Sequence, residues 1–134
     1  MRLWLIPVAA LCLTAAEPSQ EVLDLFTNLA ASLSANDARE FLAAFDPAMP
    51  GYSRLRDGVT GLTRAGDLES SVVVVRDEGD AQHRTVEVDW RLRIRSHVDA
   101  TASNPREQHL VCKLEKRGKK WKIVSLDPVG FFAP

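Results

Sequence analysis

The sequence predicts an α+β domain in which N-terminal helices pack on one side of an antiparallel sheet of about four strands. Three observations carry that expectation. First, residues 85–95, Thr-Val-Glu-Val-Asp-Trp-Arg-Leu-Arg-Ile-Arg, alternate polar and apolar without a fault for eleven positions. A period of two puts Val86, Val88, Trp90, Leu92 and Ile94 on one face and leaves Glu87, Asp89, Arg91, Arg93 and Arg95 for water. A parallel sheet covered on both faces would instead read as a continuous apolar run. Second, every stretch with three-and-four apolar spacing lies before Leu68, where the character of the chain changes. Third, the second half carries β-branched and alternating runs separated by turn residues.

Taken in order, Ser19 is a helix cap, and Val22, Leu25, Phe26, Leu29 and Leu33 fall on one helical face, so the first helix is expected over about residues 19–34. After a break at Ala35-Asn36, Asp37 and Glu40 have the spacing of a capping box before Phe41, Leu42 and Phe45, which predicts a short second helix ending before Pro47. Asp46-Pro47-Ala48-Met49-Pro50-Gly51 is a turn. Tyr52, Leu55, Val59 and Leu62 make the stripe of a third helix, which Gly58 and Gly61 weaken by roughly 1 kcal/mol each. The β-branched run Ser71–Val75 is a strand, Asp77-Glu78-Gly79-Asp80 a turn, and residues 85–95 the long strand. A polar connection from His97 to about Glu107 leads to a third strand over 108–115, and Arg117-Gly118 turns the chain into the fourth, 120–126.

The length suits one domain with its own core. Residues 1–16, with Arg2, an apolar run and a small-residue ending before Glu17, read as a secretory signal peptide cleaved after Ala16. The apolar run of about fourteen residues is short of the roughly 20 that span a bilayer, so no membrane association beyond export is expected. Leu11 before Cys12 does not suit a lipoprotein signal. The mature domain, 17–134, keeps 16 basic and 18 acidic side chains and one cysteine, Cys112, which has no internal partner and reads as a small apolar strand residue. Location in the periplasm or outside the cell follows from the signal. Charge is uneven: residues 17–80 hold 5 basic and 12 acidic side chains, and residues 81–134 hold 11 and 6. With no aromatic residues interleaved among the arginines to stack bases, nucleic acid is not the expected partner, and a solvated outer sheet face balanced by Glu87, Asp89 and Glu115 is.

Ser34-Ala35-Asn36-Asp37-Ala38 at the joint of the first two helices, Phe41-Leu42-Ala43-Ala44-Phe45-Asp46-Pro47, and the closing Gly118–Leu126 together resemble the nuclear transport factor 2-like superfamily. That group includes ketosteroid isomerases, scytalone dehydratase and SnoaL-like cyclases. The resemblance implies a cone-shaped, cystatin-like fold whose helices close over the concave face of a curved sheet. It implies a ligand chamber inside the cone, and a homodimer through the outer face of the sheet.

On that resemblance an apolar chamber would be lined by Phe41, Phe45, Tyr52, Val88, Trp90 and Leu92 and would take a small apolar ligand. Core packing is the default role of the large aromatic groups on the strands, Trp90 and Trp121, and the pocket is the sharper alternative. An isomerase-like base is expected soon after the second helix, but Met49-Pro50-Gly51-Tyr52 holds no carboxylate or histidine. An enzyme doing proton transfer on a carbonyl compound would have only Tyr52, Asp46 and Asp89 to draw on, and Asp89 falls on the outer face by the alternation. His83, His97 and His109 lack metal-ligand spacing and read as surface residues at strand ends, so neither metal nor cofactor is expected. The expectation is a non-catalytic exported domain, either binding an apolar ligand or serving as an accessory interaction module. A cone filled by side chains would favour the interaction module.

Overall fold

In the computed structural model, which describes residues 18–99 and 103–134, three α-helices precede a four-stranded antiparallel meander. The helices are α1 (Gln20–Ser34), α2 (Ala38–Leu42) and α3 (Tyr52–Ala65), and the strands are β1 (Gly66–Gly79), β2 (His83–Ser96), β3 (Ser103–Arg117) and β4 (Lys120–Asp127), in the spatial order of the chain. A 3-10 turn, Val129–Phe132, closes the fold. The signal-peptide expectation falls on residues 1–16, outside the described residues.

The helix starts follow the caps in the sequence. Ser19 Oγ accepts from the Val22 amide at 3.2 Å, and Asp37 Oδ1 from the Glu40 amide at 3.0 Å, each satisfying a donor that the first turn leaves unpaired. Between them Asn36 takes the left-handed conformation, φ 56°, which asparagine tolerates better than most residues. Its side chain then ties three places together: Nδ2 donates to the carbonyls of Thr63 and Gly66 at 3.0 Å each, and Oδ1 accepts from the Leu68 amide at 3.3 Å. The break between the first two helices is thus the clasp between α3 and the start of the sheet.

Val22, Phe26, Leu29 and Leu33 of α1 and Leu55, Val59 and Leu62 of α3 bury their stripes against the inner face of the sheet, where Val86, Val88, Trp90, Leu92 and Ile94 all lie inside. Gly58 and Gly61 have a use that intrinsic helix propensity does not register. A Cβ on Gly58 would stand 2.7 Å from the Phe132 carbonyl oxygen and 3.3 Å from Ala133 Cα, and one on Gly61 would stand 2.7 Å from Pro134 Cγ. The glycines form the seat of the C-terminal segment.

The strands run beyond the bounds read from the sequence, the first and third most of all. The first strand is fourteen residues long, and Asp77-Glu78-Gly79 belong to it rather than to a turn. Asp77 is buried; its Oδ1 receives Arg84 Nε at 2.6 Å and its Oδ2 the Ser19 amide at 2.9 Å, so a residue of turn type is held in a strand by an ion pair and by the start of α1. The actual turn is Asp80–Gln82, where Asp80 Oδ1 accepts from the amides of Gln82 and His83. These two bonds hold the Asp80 carboxyl below its usual range. The third strand begins at Ser103, five residues before the expected Gln108 (108 − 103), because its register with β2 runs on through Pro105↔Arg93 to Ser103↔Arg95. The valine run is one-sided, since Val72 and Val74 pack on the core while Val73 and Val75 are 62 % and 48 % exposed.

Candidate functional site

The six residues expected to line a chamber converge as far as their backbone allows. Phe41, Phe45, Val88, Trp90 and Leu92 are buried inside the cone, and Tyr52, at the start of α3, is partly buried at its margin. The alternation of β2 delivers Val88, Trp90 and Leu92, and the short α2 with its following turn delivers Phe41 and Phe45.

The inside of the cone is occupied by rings in mutual contact. Trp90 meets Phe132 edge-on with centroids 5.1 Å apart, and it meets Phe41 and Phe26 at 6.2 Å each. Phe41 lies 5.3 Å from Phe132 and 5.1 Å from Phe45, and Phe131 meets Phe132 edge-on at 5.0 Å. The contacts of Trp90 and that of Phe131 with Phe132 have the T-shaped geometry that ring quadrupoles favour, and the other two are tilted. The one polar atom of the cluster is satisfied, as Trp90 Nε1 donates to Ser70 Oγ at 2.8 Å. The C-terminal segment is clamped by Arg106, whose Nη1 donates to the Phe131 carbonyl at 2.8 Å and also to that of Ala133. This apolar tail packs on the domain, and it supplies the ring that meets Trp90.

The groups available to an acid–base mechanism stand elsewhere. Asp89 is on the outer face of the sheet, where its Oδ1 meets His109 Nδ1 at 2.8 Å. Asp46 accepts from the Ala48 amide at 2.8 Å and from Arg117 at 2.7 Å, bonds that hold its carboxyl below the usual range and tie the turn after α2 to the β3–β4 hairpin. Cys112 is buried, and burial pushes its thiol up to about 12, so its reactive thiolate is not populated at neutral pH.

His109 corrects the reading of the histidines as strand-end residues, for it sits in the middle of β3. Its Nε2 meets Glu87 Oε1 at 2.9 Å while Nδ1 meets Asp89, and donating to two carboxylates needs both nitrogens protonated. Asp89 and then Glu87 raise its pKa above the usual value. The arginines beside it are also paired: Arg91 with Glu107 at 3.1 Å, Arg95 with Glu69 at 3.3 Å, and Arg76 with Glu87 at 3.7 Å. The basic strand face is thus a lattice of ion pairs. Trp121, expected in the core, is instead half-buried at its margin: Nε1 donates to Glu21 at 2.8 Å, and Lys116 stands 5.2 Å over the ring while binding the same carboxylate. Those bonds lower the pKa of Glu21, Lys116 before Trp121, and join the last hairpin to α1.

Two grooves lie outside the ring cluster. One, about 580 Å³, runs across the outer sheet face among Glu69, Ser71, Arg91, Arg93, Pro105 and Glu107. The other, about 480 Å³, lies between α1, α2 and the last hairpin, with Asp24, Leu25 and Glu40 on one wall and Lys120 and Trp121 on the other. Among the described residues no group of three or more histidine, cysteine, aspartate or glutamate side chains is arranged to hold a metal ion, and no helix is long and apolar enough to cross a membrane.

No protein-family model and no curated protein sequence matches the chain. Solved structures do match. A conserved protein from Planctomyces limnophilus superposes with a TM-score of 0.70 at 7 % identity, covering 79 % of this chain and 90 % of its own. A nuclear transport factor 2-like superfamily protein from Salmonella enterica gives 0.65 at 13 % identity over 80 % and 86 %. A protein of unknown function with a cystatin-like fold from Nostoc punctiforme gives 0.60 at 17 % identity over 84 % and 96 %. At such identities the fold is what is shared, and this chain has the nuclear transport factor 2-like fold expected from its residues.

Proposed function

We propose that this protein is a non-catalytic accessory module of nuclear transport factor 2-like fold, exported through its first sixteen residues and working as a homodimer through its surface. The observation that carries the reading is the ring cluster: Phe132 comes from the C-terminal segment to lie against Trp90 and Phe41, in the space a ligand would take. The outer ends of the candidate catalytic groups support it as well. Asp46 ties a turn to a hairpin and Asp89 holds His109.

The apolar-ligand reading keeps one specific support. Two of the rings inside the cone, Phe131 and Phe132, arrive on a four-residue 3-10 turn, and its release would open a chamber walled by Phe41, Phe45, Val88, Trp90 and Leu92, with Tyr52 at the rim. Native and denaturing mass spectrometry of the protein from the exported fraction separates the two. A ligand-free dimer beginning at Glu17 is the expected result. A retained small apolar molecule would overturn the interaction reading in favour of the ligand-binding one, and a chain still carrying residues 1–16 would overturn export with cleavage.

A further inference from the structure

The groove of about 480 Å³ between α1, α2 and the β3–β4 hairpin is bridged at two points by the fold itself. Glu21 of α1 takes Trp121 Nε1 and Lys116 Nζ at 2.8 Å each, and Lys122 Nζ donates to the Ala43 carbonyl at the end of α2. Those bonds hold the two walls apart and leave charges of opposite sign on them. On the helical wall Asp24 accepts from the neutral Gln20 amide at 2.8 Å and meets no cation among the described residues. Glu40 has the position of a capping box, but the Asp37 amide that its carboxylate would take there donates to the Ser32 carbonyl at 2.9 Å instead, so the carboxylate is left to the groove. On the hairpin wall Lys119 and Lys120 are exposed, and their side chains make no hydrogen bond or ion pair with the described residues. The outer sheet face is different, for its charges pair with one another, as Arg91 does with Glu107 and Arg95 with Glu69.

We infer that this groove is a binding site for a short peptide with free ends. An ammonium group is the partner that Asp24 and Glu40 lack, and a carboxylate is the partner that Lys119 and Lys120 lack, so the occupant carries both. A ligand of one sign would be drawn to one wall and repelled by the other. Between the walls the Asn28 side-chain amide, which bonds to none of the described residues, offers a donor and an acceptor, the complement of a peptide link. Leu25 and the half-buried Trp121 ring supply apolar surface for a side chain. The volume lies within the range of about 300–1,000 Å³ that small ligands fill, whereas a stable protein partner needs about 800 Å² from each side. A quaternary ammonium headgroup would need a cage of open ring faces, and Trp121, the single ring lining the groove, has Lys116 Nζ 5.2 Å over it. The contacts are made at the surface, so the binding is weak and falls with salt. The site is on the helical side of the fold and does not rest on the proposed self-association.

The test is an NMR titration of the isotope-labelled protein with the tripeptide Ala-Phe-Ala, read at the Trp121 indole N–H and the Asn28 side-chain amide. A saturable shift at both, with the indole of the buried Trp90 unmoved, is the expected result. Acetylating one end of the peptide and amidating the other removes both charges and should weaken binding by about tenfold or more. Glu40→Gln and Lys120→Gln should each weaken it about twofold to fivefold, and Lys120→Arg should keep it. Both residues are exposed and their side chains pair with none of the described residues, so these variants are expected to keep the wild-type melting temperature. The absence of a saturable shift at Trp121 with millimolar peptide, equal binding of the blocked peptide, or the same shifts with phosphocholine would overturn the inference. A shift at Trp90 in place of Trp121 would overturn it as well, by putting the peptide inside the cone.

Discussion

The ring cluster makes Phe132→Ala the most informative single change. The side chain is fully buried and touches three other rings, at 5.1 Å from Trp90, 5.3 Å from Phe41 and 5.0 Å from Phe131. Truncating a buried phenylalanine costs about 3–5 kcal/mol, and the spread depends on how far the surroundings collapse into the space. A residue so near the chain end would ordinarily relax easily. Here Arg106 holds the carbonyls on either side of it, and the Phe132 backbone lies against Gly58, so the segment cannot slide inward without losing those contacts. The expected cost is therefore about 4 kcal/mol, a large share of the roughly 5–15 kcal/mol that holds a domain together. Urea unfolding followed by tryptophan fluorescence reads it directly, because Trp90 faces the deleted ring. The midpoint should fall with the slope unchanged, and a small aromatic such as benzene should recover part of the loss by filling the new apolar space. A loss below about 1 kcal/mol would refute the reasoning, since it would mean that the C-terminal segment does not close the cone.

Three further outcomes follow from the same geometry. Asp77→Ala leaves Arg84 without its carboxylate and the Ser19 amide without its acceptor; because Arg84 can partly reach water, the expected cost in thermal or chemical unfolding is about 3 kcal/mol, the low end for breaking a buried pair. Gly58→Ala forces a methyl into the Phe132 and Ala133 backbone and should cost about 1–3 kcal/mol despite alanine's better helix propensity, so a variant more stable than wild type would show that the tail does not sit on α3. His109 has its pKa raised by Asp89 and Glu87, so its stabilising contribution is fully present below the ordinary histidine value of 6.5 and is lost as pH rises through the elevated folded-state value. Comparing wild type with His109→Gln across that window should show a stability difference that shrinks as pH rises, with an NMR titration of the imidazole locating the step; a difference that grows with pH would contradict the clamp.

Much of the fold was legible because its determinants are local. The alternation over 85–95, the caps Ser19 and Asp37, and the helical stripes of α1 and α3 each depend on residues a few positions apart, where backbone period and first-turn hydrogen bonding decide the conformation. The nearness of Phe41, Phe45, Val88, Trp90 and Leu92 was legible too, since each lies on an inward face of its own element. Three features could be decided only by tertiary structure. Asp77 has the composition of a turn, yet its partners Ser19 and Arg84 hold it in a strand. Gly58 carries a helix penalty, yet a backbone that arrives more than seventy residues later in the chain (132 − 58) requires it. The inward rings could have walled a chamber as readily as filled one, and the difference is where Phe132 lands. Alternation sets the face on which a side chain points; what meets it there depends on distant segments closing on one another, and no period in the sequence encodes that approach.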